Sequence, residues 1–300
     1  MSKRPTPIFD TNIFGDVKRG NISQTDWQYL LRRRPRDGWK LSSVTALELL
    51  AGVDATPTQD FLDAKARIAS AYNLSEGRIL EDPRHLLCQK VLHVPFPPDQ
   101  LPPSSSVISK YLDVIRQANY SDQLLKTGLP YKGGKVRLDT TSILTEIMAW
   151  PKLGWAEAME RTADEMHPGW REQFEQTQRR LPPEKRNALG PGWQARQRPF
   201  FIKALLDWLG ASPAPDVMAD FCARLDAVLE FTIFVTREFL LQPNYLLDKH
   251  QSDIFDMFQL QYLAFDRFVI VSNDRDLSTR TRHSSQAARI MSFSDFLTTL

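Results

Sequence analysis

Pro5-Thr-Pro-Ile-Phe-Asp-Thr-Asn12 is the stretch from which the rest of the chain is read. A short apolar run that stops at Asp10-Thr11-Asn12 predicts a buried strand carrying a carboxylate to its C-terminal tip. Three distant stretches end or begin in acids in a similar way: Trp39 to Glu48, Ser252 to Asp256, and Phe268-Val-Ile-Val-Ser-Asn-Asp274-Arg-Asp276. Phe268 to Val271 is apolar without a break, as expected of a parallel strand covered on both faces, and it releases Asn273, Asp274 and Asp276 at its tip. One site built from four distant segments is the expectation.

Outward from the first stretch, Ile13 to Gly20 and then Asp26-Trp-Gln-Tyr-Leu-Leu read as turn and helix, followed by a basic cluster, Arg32-Arg-Arg-Pro-Arg36. A second strand is expected at Trp39 to Ser43, and a helix from Val44 to Ala51 with Gly52 as its stop. This strand–helix alternation is the βαβ rhythm of a parallel sheet. Thr45-Ala-Leu-Glu48 also fits a capping box, which gives Glu48 a purely structural alternative. Ser252 to Phe265 reads as a helix with Asp253 and Asp256 on one face, and Leu260 and Leu263 carry the Asp256 stripe inward. An acid heading an apolar stripe needs a partner, either a metal ion or an arginine. A last strand is expected over Ala288 to Phe293 and a last helix over Asp295 to Leu300. Asp276 has a plain alternative too, as the cap of a short helix after Asp274.

The middle of the chain reads differently. Residues 57 to 92 look helical around Phe61 to Tyr72, with a short strand at Val91 to Phe96. The prolines from Pro95 to Pro103 make a loop that no helix crosses. Amphipathic helices are expected at about 106 to 126, 141 to 165, 168 to 180, 199 to 209 and 215 to 241. Tyr131-Lys-Gly-Gly-Lys135 lacks the Gly-Lys-Ser/Thr ending of a phosphate-binding loop and reads as a hairpin turn. Leu181 to Arg198 is rich in Pro and Gly and carries Lys185, Arg186, Trp193, Arg196 and Arg198. It is either a solvated linker or a basic loop that clasps single-stranded nucleic acid by charge and stacking.

Composition sets wide bounds. At 300 residues, 42% hydrophobic and 25% charged, the chain can bury a large core as one elaborated domain or two. A formal net charge of +2 leaves partners open, apart from local basic clusters. The two cysteines, Cys88 and Cys222, lie far apart and suit a reducing cytoplasm. His85, Cys88 and His93 with Cys222 would make a zinc site; packing and surface roles are the simpler reading. The N-terminus has no secretory h-region, and the greasiest run, Val228 to Val235, is too short to span a bilayer.

The order of these acidic stretches resembles the PIN-domain nucleases, whose pattern is a first-strand Asp-Thr-Asn, a Ser/Thr-rich strand leading to Glu, a late helix Asp and a final Asn-Asp. Here Asp10 and Asn12, Ser43 and Glu48, Asp256, and Asp274 stand at those positions. The resemblance covers only residues 5 to 55 and 248 to 300. It implies an α/β fold: a PIN-like three-layer core with a parallel central sheet, formed by 1–55 and 245–300, enlarged by a mainly α-helical insertion or subdomain at 56–244. Compact members place the second and third acids much closer together, so Asp253 competes with Asp256. Asp256 is preferred because it lies 18 positions before Asp274, a spacing suited to one helix feeding one strand.

In open parallel sheets the ligand crevice lies outside the C-terminal strand ends, where all four acids would meet. Such a cluster is tolerated when hard cations with oxygen ligands bind, namely Mg2+ or Mn2+, and the implied reaction is phosphodiester hydrolysis. By the resemblance, Asp10, Asp256 and Asp274 hold metal, Glu48 holds metal or orients the attacking water, and Asp253 is an extra ligand. Asn12 and Ser43 support Asp10 or touch phosphate, with Asp276 nearby, while Arg275, Arg280 and Arg282 meet the substrate backbone. The resemblance further implies a cytoplasmic endoribonuclease acting on RNA ahead of DNA, in the role of a toxin or defence effector. A protein inhibitor or a second copy would be its partner, with no membrane involved. The competing expectation is a non-catalytic PIN-like scaffold or RNA-binding protein.

Overall fold

The computed structural model describes residues 5–35, 38–51, 53, 59–97, 104–119, 129–131, 134–136, 191–241 and 253–300. The expected helices at 141–165 and 168–180, and Lys185 and Arg186, lie outside them. The described chain is mixed helix and sheet and mostly helical. Its first elements are β1 (Thr6–Phe9), α1 (Thr11–Arg19), α2 (Gln24–Arg32), α3 (Ser43–Ala51), α4 (Gln59–Ser75) and α5 (Pro83–Leu87). A π-turn (Cys88–Leu92), α6 (Ser105–Gln117), β2 (Leu129–Tyr131) and β3 (Gly134–Val136) follow. The chain then continues with α7 (Pro191–Trp208), α8 (Pro215–Arg224), α9 (Asp226–Leu241) and α10 (Asp253–Leu260). After a 3-10 turn (Gln261–Ala264) come β4 (Phe268–Val271), α11 (Arg275–Arg280), β5 (Ile290–Met291) and α12 (Phe293–Thr298).

The main sheet is small and parallel, in the order β1-β4-β5. Thr6 faces Phe268 and Phe9 faces Val271, while Ile270 and Val271 face Ile290 and Met291. The ladder runs one step past β1, because the Asp10 amide donates to the Val271 carbonyl at 3.0 Å. The first and last segments of the chain are thus hydrogen-bonded neighbours. β2 and β3 pair antiparallel, with Tyr131 opposite Gly134, as expected of a hairpin.

Side chains alternate across a strand, and here both faces are buried. Ile8, Phe268 and Ile270 enter one apolar cluster with Phe221, Phe231, Leu260 and Tyr262. Phe9, Val269 and Val271 enter another with Phe14, Trp27, Phe61 and Phe296. α4 and α6 belong to the second cluster and α5, α7, α8 and α9 to the first. The described helices between residues 59 and 241 therefore supply the cover that a doubly buried sheet requires.

Four local expectations are corrected. Trp39 to Ser43 is not a strand of the sheet: only Leu41 makes a bridge, to Ile79, before Ser42 turns the chain into α3. The Thr45 amide donates to Ser42 Oγ at 2.9 Å, so Ser42 caps that helix and the Thr45–Glu48 capping box does not form. Val91 to Phe96 is no strand either: the π-turn takes its start, and His93 follows with φ +55°. The helix expected at 215–241 breaks at Leu225. Gln286 holds that break, donating to the Arg224 carbonyl at 2.9 Å and accepting from the Ala227 amide at 3.0 Å.

The 191–198 stretch read as linker is helical, and Arg198 pairs with Asp226 rather than facing solvent alone. Two of the residues named for the zinc alternative have other surroundings. Cys88 is buried, and desolvation with the charge of Asp82 pushes its thiol up to about 11, while His85 sits 2.5 Å from Glu81. Among the described residues, no helix is long and apolar enough to cross a membrane.

Candidate functional site

Asp10 ends β1 and at the same moment begins α1, a double duty that fixes its carboxylate at the C-terminal edge of the sheet. Its Oδ1 accepts from the Thr11 amide at 2.6 Å and from Thr11 Oγ1 at 3.2 Å. Its Oδ2 accepts from Asn12 Nδ2 and from Ser272 Oγ, both at 2.6 Å. Ser272 sits one step beyond β4, so the neighbouring strand grips the first acid directly. The same Ser272 Oγ accepts from the Asp274 amide at 3.0 Å, tying the second strand-end acid into the network. Asn12 completes it by accepting from the Asn273 amide at 3.2 Å. Asp274 in turn caps α11, accepting from the Asp276 amide at 2.7 Å; the cap is thus Asp274, and Asp276 is exposed in the first turn.

Asp256 lies in the first turn of α10 and Glu48 in the middle of α3, both half-buried. Their helices reach the same place. Burial pushes the Asp256 carboxyl well above its ordinary 3.8, and the charges of Asp10, Glu48, Asp253 and Asp274 push it in the same direction. Burial also raises Asp10, with the charge of Asp274 adding to it against the hydrogen bonds from Ser272 and Thr11. Charges from three distant segments, carried by Asp10, Glu48 and Asp274, therefore reach Asp256.

Asp253 is held differently. It is buried and ion-paired to Arg280 Nη1 at 3.0 Å, and Arg280 also reaches Glu238 at 3.3 Å and lies over the Phe231 ring. Arg280 is therefore an internal tie and not a substrate contact, and Asp253 already has the cation it needs. Arg275 and Arg282 are exposed, the latter donating to His283 at 2.9 Å. Ser43 is buried in α3 and stands 3.3 Å from the Tyr262 hydroxyl, so it supports that helix and not Asp10.

Reading the sequence missed several supporting residues. Ser272 was visible inside Val-Ser-Asn-Asp, yet its role depends on a strand neighbour 262 positions away. Asp16 accepts from Asn273 Nδ2 at 2.8 Å, and Asn273 Oδ1 accepts from the Phe293 amide at 3.0 Å, joining α1 to β4 and α12. Those donors, with Arg19 and Asn21, outweigh desolvation and hold Asp16 below its ordinary range. Gln259, one turn below Asp256, donates to Thr45 Oγ1 at 2.6 Å, and Thr45 Oγ1 donates to the Phe9 carbonyl at 2.8 Å. Its spacing from Asp256 was the signal that could have found it.

The donor set suits a hard dication in kind: carboxylate oxygens whose mutual repulsion a positive ion would relieve. Gln259 Oε1, a buried acceptor with no hydrogen-bond partner, is a further oxygen beneath the acids. Geometry adds a condition. Asp10 already accepts four hydrogen bonds, which fills its lone-pair positions, so it would reach an ion through water or by releasing Thr11 Oγ1. Among the described residues, no three His, Cys, Asp or Glu side chains are grouped to hold one ion in common. Comparison of the chain with protein-family models, curated proteins and solved structures gives no match.

Proposed function

We propose that the chain is a PIN-like, metal-dependent endoribonuclease whose active crevice lies at the C-terminal end of the parallel sheet. One observation carries the reading: beyond burial, Asp10, Glu48 and Asp274, which come from distant parts of the sequence, raise Asp256 electrostatically together with its helix neighbour Asp253. Keeping like charges together is costly, and a site that does so is a functional candidate.

Asp10, Glu48, Asp256 and Asp274 would hold Mg2+ or Mn2+, which when bound supplies a water of lowered pKa and offsets charge on the phosphoryl group. Ser272 and Asn12 keep Asp10 oriented, and Ser272 couples its position to Asp274. Glu48 would hold metal or orient the attacking water. Arg275, exposed next to Asp274, and the exposed Arg282 beyond the same helix would meet an RNA backbone, RNA being favoured over DNA. A toxin or defence role, with a protein inhibitor as partner, extends the same reading.

A non-catalytic scaffold is the second reading, and the filled hydrogen-bonding sites of Asp10 favour it. Cleavage separates the two. Labelled single-stranded RNA should be cut in Mn2+ by the native chain, and Asp274→Asn should abolish cutting while the protein stays folded. Equal cutting by that variant would remove Asp274 from the mechanism.

A further inference from the structure

We propose that the opposite end of the sheet carries a second site, one for a phosphorylated ring compound of mononucleotide size. A cavity of about 300 Å³ opens there, with Trp39, Phe268 and Phe296 in its walls and Arg33, Lys40 and Arg267 around it. All three cations are exposed, and among the described residues none of them is in an ion pair. Arg33 leans on the Tyr29 ring at 5.2 Å and Arg267 on the Phe268 ring at 4.6 Å, contacts that steady the guanidinium groups without neutralising them. The described lining contains neither Asp nor Glu.

Gly38, also in the lining, has φ +65°, and a Cβ there would collide with the Arg78 guanidinium. A fourth cation therefore crowds the lip; its acid, Glu76, is shared with Arg34. Three cations that form no ion pair among the described residues, set around an apolar lining whose aromatics Trp39, Phe268 and Phe296 are buried and present only their edges, fit a ligand that is anionic at one end and apolar at the other. The planar fork of arginine binds oxyanions bidentately, and phosphate, with more oxygens and more charge than a single carboxylate, can be shared among several cations. The volume is at the small end of ligand pockets and matches a ligand of mononucleotide size. Thr6 lines the cavity while Asp10 stands beyond the other end of β1, so the strand separates the two sites by about 13 Å.

The test is calorimetric titration in chelator with AMP, CMP, GMP, UMP and inorganic phosphate. Native protein, Lys40→Ala, Arg267→Ala, Lys40→Glu/Arg267→Glu and Asp10→Asn would be compared, each checked for an unchanged melting temperature. At least one mononucleotide is expected to bind tenfold or more tighter than phosphate, to weaken at least tenfold in each alanine variant, and to be unaffected by Asp10→Asn. No binding by any mononucleotide at millimolar concentration would overturn the site, as would binding that survives the double charge reversal. Equal affinity for phosphate alone would overturn the ring-bearing ligand. Because the titration is made without metal and away from the acids, its failure leaves the nuclease reading standing, and the reverse also holds.

Discussion

Ser272 is the residue through which the two strand-end acids feel each other, because a single hydroxyl donates to Asp10 and accepts from the Asp274 amide. Replacing it with alanine leaves Asp10 short of a donor in a buried setting, at a cost of about 1–2 kcal/mol. Ser272→Ala should therefore lower stability in denaturant unfolding by that amount and reduce cleavage, with Ser272→Thr restoring part of both. Asp256 makes the opposite prediction for stability. Its folded carboxyl holds a proton more tightly than the unfolded chain does, so the folded state binds more protons once the pH exceeds the ordinary value of 3.8. Stability relative to the unfolded chain is then retained at low pH and declines as the pH rises from there through the raised folded value. In metal-free buffer the melting temperature should fall with that rise for native protein, and Asp256→Asn should flatten the fall and melt higher at pH 7 while cutting no RNA. A variant that melts lower than native at pH 7 would show that the repulsion around Asp256 is not what its surroundings imply.

At the scale of the elements, α10 and α11 are pinned by one buried ion pair, Asp253 to Arg280, with side chains 6% and 7% exposed. Removing one partner strands the other charge, a loss of about 3–5 kcal/mol. Arg280→Ala should cost that much in unfolding experiments, whereas the exposed Arg275→Ala should leave stability unchanged and weaken RNA binding. Much of this was legible before any coordinates. β1 and β4 are buried on both faces and announce themselves as apolar runs, and the helix read from Asp26-Trp-Gln-Tyr-Leu-Leu forms as Gln24–Arg32. Strand Trp39–Ser43 was misjudged because an apolar stretch before a helix looks alike whether it pairs along its length or, as here, through Leu41 alone. The break at Leu225 could not be foreseen: the helical stripe runs through it, and the side chain that holds it, Gln286, comes from 61 positions further on. Arg280 misled for a related reason, since sequence gives the charge of a side chain but not which side of its helix meets another acid.

Across the whole molecule, strands from the first and last segments of the chain meet in the sheet and the described helices between residues 59 and 241 cover it, so the acids are positioned by packing contributed from many described elements. Phe9 shows the dependence: fully buried, it meets Trp39 and Phe296 edge to face at 6.2 and 5.6 Å, next to the acid it precedes. A Phe9→Ala change should lose about 3–5 kcal/mol and take the site with it, which calorimetry and cleavage would register together. The sheet's two buried faces were readable from β1 and β4, but which helices cover them was not, because an amphipathic stripe names a buried face and not its partner. The most direct test of the central claim is cleavage of labelled single-stranded RNA and DNA by the native chain in Mn2+, with chelator and an Asp10→Asn/Asp274→Asn double variant as controls. The account predicts cutting of RNA ahead of DNA that disappears in both controls; cutting that survives the double variant, or a chain that neither cuts nor melts higher in Mn2+, would contradict it.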